Sequence, residues 1–197
     1  MHYNAQVKWL QEDFSRQVVS VEVINESLDL LDKILEHPSE YILLLLDMYA
    51  HASKAHEERN YGFSLIICWT IAEKLLQELW KRFIDDQKKV QIETDGKKIP
   101  IIDAERKKLL EDGRSFTSSV IAEILTFREI ISFPTYKIIS KVRKTRNAWI
   151  HGLRNVTREQ GHEAIELVRR MLSEVEGIDL PVLVVDRYHW NLKSDLS

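Results

Sequence analysis

Apolar residues recur along this chain at the three-and-four spacing of amphipathic helices, and only six Gly and four Pro interrupt them. The pattern predicts a first helix over Glu22 to Glu36, ending at His37-Pro38. Ser39 then offers an N-cap for a second helix, whose broad apolar face is Tyr41, Ile42, Leu44, Leu45, Met48 and Tyr49. From Tyr61 to Asp86, Phe63, Leu65, Ile66, Ile67, Trp69, Ile71, Leu75, Leu76, Leu79, Trp80 and Phe83 cover most of a helix's circumference, the mark of a central helix. Thr70 and Glu73 fall inside that stretch, and each is expected to need a polar partner to offset desolvation, unless Glu73 lies at the helix edge and reaches water.

Between Val90 and Ile102 the period changes. Two short β-prone runs flank Asp95-Gly96, which predicts a small hairpin that needs the helices to pack against. Helices resume over Asp103 to Leu110 and Thr117 to Ile131, Pro134 breaks the chain, and a cationic helix runs from Thr135 to His151 and stops at Gly152. Thr157 with Gln160 reads as a capping box opening a last helix to Glu176. Past Gly177, the run Leu180 to Val185 looks extended. The fold class is all-α, a helical bundle with an inserted hairpin at about 90–102 and an extended C-terminal segment. One domain is expected, with its core over 39–176, a helical extension over 1–38, and the extended segment over 177–197.

At 197 residues, 44% hydrophobic and 30% charged, the chain is neither disordered nor membrane-spanning in composition. It contains no apolar run near the ~20 residues of a spanning helix, and the start of the sequence lacks the apolar core of a signal peptide. A cytoplasmic protein without membrane contact is expected. Cys68 is the only cysteine, which excludes an internal disulfide and a cysteine zinc site, and its neighbours Leu65, Ile66, Ile67 and Trp69 predict a buried thiol.

Charge patterning changes the picture. The chain is acidic by three charges, yet from Ile130 to Arg158 it carries seven Lys or Arg and no Asp or Glu. Within that segment lies Arg146-Asn147-Ala148-Trp149-Ile150-His151. An Arg and a His five positions apart recur by chance, so context carries the weight: Asn147 follows the arginine, the helix ends just beyond, and no acid is near in sequence. At about 100° per residue, Arg143, Asn147 and His151 fall within roughly 80° of one another, with Ile138, Val142 and Trp149 opposite. Arg146 lies about 140° from His151 and must bend its long side chain to reach the same side.

This motif resembles the signature of the HEPN family of small helical domains: Arg, a polar residue, any three residues, then His. The likeness extends to the long apolar helix with Trp69-Thr70-Ile71-Ala72-Glu73 at its centre and to the helix after the motif, together about 39–176. The resemblance implies a bundle that dimerises so that two motifs meet in one cleft. It also implies a metal-independent endoribonuclease, in many members a toxin or an antiphage effector, with an antitoxin or other regulatory protein as a further partner. Some members carry a Tyr two residues after the histidine, which their antitoxin modifies; here that position is Leu153.

The chemistry can be reasoned without the family. RNA supplies its own nucleophile, the 2′-hydroxyl, so a cleaving site needs a proton acceptor, a proton donor and charge stabilisation at the phosphate, with no cofactor. His151 suits the proton transfers and Arg146 the phosphate oxygens, while Asn147 is placed to orient the imidazole or contact the phosphate. Lys141, Arg143, Lys144, Arg154 and Arg158 would attract and position the RNA strand, and Thr70 and Glu73 would support the site. Plainer roles stand beside these. His151 can cap its own helix end, Arg146 can be an ion-pair partner for Glu73, and Trp149 suits the core better than a base-stacking platform. His51 with His56, or His162 with His189, make no metal-ligand spacing. A non-catalytic dimer module that binds RNA, a nucleotide or a protein partner is the alternative function.

Overall fold

The computed structural model describes residues 21–39, 41–94 and 97–180. The chain divides between His37 and Pro38 into two units. In the first, helix α1 spans Val21–Leu35 and buries none of its residues. The second unit holds α2 (Tyr41–Glu57), α3 (Tyr61–Lys88), strands β1 (Gln91–Thr94) and β2 (Lys97–Pro100), α4 (Ala104–Leu110), α5 (Ser118–Phe127), α6 (Phe133–Gly152) and α7 (Arg158–Glu176). The expected all-α class with one antiparallel hairpin is what the chain forms.

Helix α3 is the central element, packed against α2, α5, α6 and α7. Leu65, Ile71, Ala72, Leu75, Leu76 and Ile84 along it are fully buried, as a helix apolar nearly all round must be. Burying each large side chain contributes about 1.5–3 kcal/mol, which fixes α3 as the axis of the bundle. Cys68 lies in this core, and burial pushes its thiol up to about 12. Thr70 departs from expectation: it is exposed, and its hydroxyl donates to the carbonyl of Ile66 on its own helix (3.0 Å), so it needs no partner from elsewhere.

The hairpin pairs Ile92 with Ile99, yet both stay largely exposed, and the buried anchor is Ile102 just past β2. The expected Asp95-Gly96 turn lies outside the described residues. Helix α5 ends at Phe127, four residues earlier than its apolar spacing predicts, because Glu129 takes a left-handed conformation (φ 58°) and turns the chain. Pro134 is not a break but sits in the first turn of α6, where a missing N–H costs nothing. Ile178 and Leu180, beyond α7, are buried; the extended run after Leu180 lies outside the described residues.

Both ends of α6 are held. At its start, Glu174 of α7 accepts from the Ser132 hydroxyl (2.7 Å), the Thr135 hydroxyl (2.6 Å) and the Ser132 amide (3.2 Å), placing a carboxylate where the helix dipole favours it. Near its end, Trp149 lies against Gly62 so closely that a Cβ on Gly62 would stand 2.7 Å from the indole carbons. Trp149 therefore belongs to the packing, as its place opposite the polar face implies.

Helix α7 opens with the expected capping box of Thr157 and Gln160 and ends at left-handed Gly177. Its first turn meets the end of α2, where a Cβ on Gly161 would stand 2.9 Å from the His56 ring. The His56 Nε2 is 3.2 Å from the carbonyl oxygen of Arg158, and the ring lies against Tyr61, with His162 6.2 Å away. Burial lowers the His56 pKa, outweighing the hydrogen bond to Arg158. The unfolded chain thus binds the proton more readily, so this contribution to stability is intact above the ordinary value of about 6.5 and is lost as pH falls below it. Urea midpoints between pH 7.5 and 5.5 should fall with pH for the wild type and fall less steeply for His56→Gln; parallel curves would remove His56 as the cause.

Candidate active site

The polar face of α6 opens onto a cleft of about 720 Å³. Arg143, Arg146, Asn147 and His151 line one wall of it. Trp69, Glu73, Gln77, Trp80 and Lys81 of α3 line a second, and residues of the 110–119 connection with the start of α5 complete it. The motif is thus held by a helix whose opposite face is fixed by Val142 and Trp149, with Ile139 buried at its flank. The long side chain of Arg146 does reach the side on which His151 lies.

Within the cleft, Arg146 is half-buried and its Nη1 donates to the Oδ1 of Asn147 at 3.0 Å. Its Nε is buried, and among the described residues it has no hydrogen-bond partner and no carboxylate pairs with the guanidinium. Glu73 lines the same cleft but accepts instead from the hydroxyl of Ser118 at 3.0 Å. That hydroxyl belongs to the first turn of α5, whose N-cap Thr117 makes no side-chain cap bond, so the carboxylate sits at a helix start where negative charge is favoured. The ion pair with Glu73, the plainer role open to Arg146, is not formed, and the guanidinium faces the cleft without it.

His151 is exposed, lines the cleft and makes no hydrogen bond within the described protein. It does not cap its helix. The carbonyl of Ala148 is taken by the amides of Leu153 and Arg154, with Leu153 in a left-handed conformation (φ 49°). Leu153 is 87% exposed, and Ile150 beside His151 is 39% exposed.

Of the cations expected to hold RNA, only Arg143 joins Arg146 in the cleft. Lys141 is paired with Glu163 of α7, while Lys144 and Arg154 are exposed outside the cleft, as is Arg158 at the start of α7. Thr70 does not line the cleft either. Residues not anticipated from the sequence are Gln77, Lys81, Trp80, Phe116 and Ser118. Trp80 and Phe116 stack at 5.5 Å with a 24° angle between rings, and the Trp80 indole N–H donates to Leu110 (2.8 Å), which ties the 110–116 connection to α3. The signal for part of this wall was present: Trp69, Glu73, Gln77 and Lys81 follow one another at four-residue spacing, a polar stripe on an otherwise apolar helix. Among the described residues, no group of three or more His, Cys, Asp or Glu could hold a metal ion, and no helix is long and apolar enough to cross a membrane.

The arrangement offers an unpaired guanidinium to an anion, an exposed imidazole for proton transfer, and an aromatic and polar wall opposite. The chain matches no protein-family model, no curated protein and no solved structure.

Proposed function

We propose that this chain is an endoribonuclease of the HEPN kind that cleaves RNA without a metal. The observation that carries this reading is the convergence of Arg146, Asn147 and His151 on one cleft in which Arg146 has no carboxylate partner. His151 takes the proton of the 2′-hydroxyl, whose oxygen attacks the adjacent phosphorus. The bond from phosphorus to the 5′-oxygen breaks, and that oxygen receives a proton from a second acid, the His151 of a second copy. The products are a 2′,3′-cyclic phosphate and a 5′-hydroxyl. Arg146 holds the non-bridging oxygens as their charge grows, and a planar guanidinium suits two of them at once. Asn147 fixes the guanidinium through its amide oxygen, and Arg143 faces a neighbouring phosphate. Exposed Ile150 and Leu153, on either side of His151, suit a surface on which a second copy meets the first. A toxin or antiphage role, with an antitoxin as partner, accords with this chemistry.

A non-catalytic reading has its own support: Glu73 and Glu111 also line the cleft, and its volume is that of a small ligand rather than a long strand. A nucleotide or short RNA held without cutting fits those features. Incubation of the purified chain with RNA in EDTA, followed by analysis of product ends, decides between the two. Cyclic phosphate and 5′-hydroxyl ends, with resistance of a substrate that is 2′-deoxy at the cleavage position, are expected. Binding of RNA that stays intact makes the module reading correct, and efficient DNA cleavage would contradict the proposed nucleophile.

A further inference from the structure

Helix α1 belongs to the unit that ends at His37. Val21, Ile24, Leu28, Leu31 and Leu35 follow one another at spacings of three, four, three and four, the a and d positions of a heptad repeat. At roughly 100° per residue these five fall within an arc of about 80°, and Glu22, Glu26, Asp29 and Lys33 lie on the other side. All five are exposed, between 47% and 67%. An isolated helix of this length is marginal in water, and among the described residues nothing covers this row of five exposed aliphatic side chains. In sequence the same frame continues upstream through Val7, Leu10 and Phe14, with Gln17 its one polar position. That is about four heptads, the length at which such a pattern signals a coiled coil.

The charges say what kind of partner fits. A helix that lies on an anionic lipid surface carries Lys and Arg on its polar face; α1 carries Glu22, Glu26, Asp29 and Asp32 against a single Lys33. The positions beside the seam are Asn25, Ser27, Asp32 and Ile34, which hold one charge among them. Two copies laid side by side in register therefore set Asp32 of one against Ser27 of the other and oppose no like charges. The seam is self-complementary.

We propose that α1 pairs with the α1 of a second copy of this chain, seam against seam, as a two-helix coiled coil. This contact is independent of the cleavage chemistry and stands or falls without it. The test is disulfide trapping in the full chain under mild oxidation. Cys68 is buried with its thiol held largely protonated, so the unmodified chain is the blank. Val21→Cys is expected to give covalent dimers by itself if the helices run parallel. A mixture of Val21→Cys and Leu35→Cys gives them if the helices are antiparallel, and either result supports the pairing. Asp29→Cys, on the opposite face, should cross-link about tenfold more slowly. Equal rates at Val21 and Asp29, or no covalent dimer from any seam position, overturns the proposal, and so does a monomeric mass for the unmodified chain at tens of micromolar by analytical ultracentrifugation. Leu28→Glu, which places a charge in the seam, should weaken α1 pairing, read as at least about tenfold less trapped Val21→Cys dimer, while the melting temperature stays within a few degrees because α1 buries none of its residues.

Discussion

Replacing His151 with alanine should lower RNA cleavage by about 10²–10⁴-fold, the usual worth of a positioned general acid or base, while leaving the melting temperature unchanged. The second half of that expectation comes from the structure: the imidazole is exposed and, among the described residues, makes no hydrogen bond, so its removal takes little from the packing. Arg146→Ala should cost about 10²–10³-fold, as removal of one oxyanion donor does, and Arg146→Lys should recover little, because an ammonium lacks the flat fork that grips two oxygens together. Single-turnover cleavage alongside circular-dichroism melting reads both quantities. Activity within about threefold of wild type in His151→Ala would remove the imidazole from the mechanism, whatever happened to RNA binding.

The second large effect lies far from the chemistry in kind, though close in space. Gly62→Ala places a Cβ 2.7 Å from the indole of Trp149, a rigid ring that cannot swing aside as a flexible chain end can. Overpacking of this sort costs about 1–3 kcal/mol. Because Trp149 sits two residues before His151 on the same helix, relief of the clash must move the end of α6 that carries the motif. Both the urea midpoint and the cleavage rate should fall together in Gly62→Ala. Gly113→Ala is the matched control, since a Cβ there meets nothing within 4 Å, and it should stay within about 0.5 kcal/mol of wild type. A Gly62→Ala chain as stable as wild type would mean that α6 is held by other contacts.

How far the sequence could be read follows from how local each feature is. The capping box at Thr157 needs only four consecutive residues, and it was legible in full. Asn147 and His151 share a face by the helical period alone, whereas Arg146, about 140° from His151 on the wheel, lines the same cleft only through the length of its side chain. Pro134 is ambiguous in the sequence, because a proline that ends one element and a proline that begins the next look alike without the Ser132 cap and the Glu174 carboxylate that start α6. Thr70 and Glu73 stand three residues apart, yet one faces water and the other the cleft; Glu73 is continued by Gln77 and Lys81 at four-residue spacing, the short polar stripe that lines the cleft. The cationic run from Ile130 to Arg158 was the most persuasive feature of the sequence and the least complete guide. Glu163 and Glu174, which answer Lys141 and the start of α6, come from α7, and Glu73 comes from α3. A linear scan sees none of them.

The pairing of Lys141 with Glu163 has a consequence for selectivity. It withdraws one cation from the α6 surface and leaves Arg143 and Arg146 as the α6 charges that face the cleft. A polyanion entering there displaces few counterions, so added salt should loosen its hold only gently: for two neutralised phosphates of a single strand, the logarithm of affinity falls by about 1.4 per decade of salt. With so shallow an ionic contribution, discrimination among ligands would fall to the uncharged lining residues, Phe116 and the amide of Gln77 among them. On the proposed reading, the ligand of this cleft is expected to be chosen by shape and stacking more than by charge.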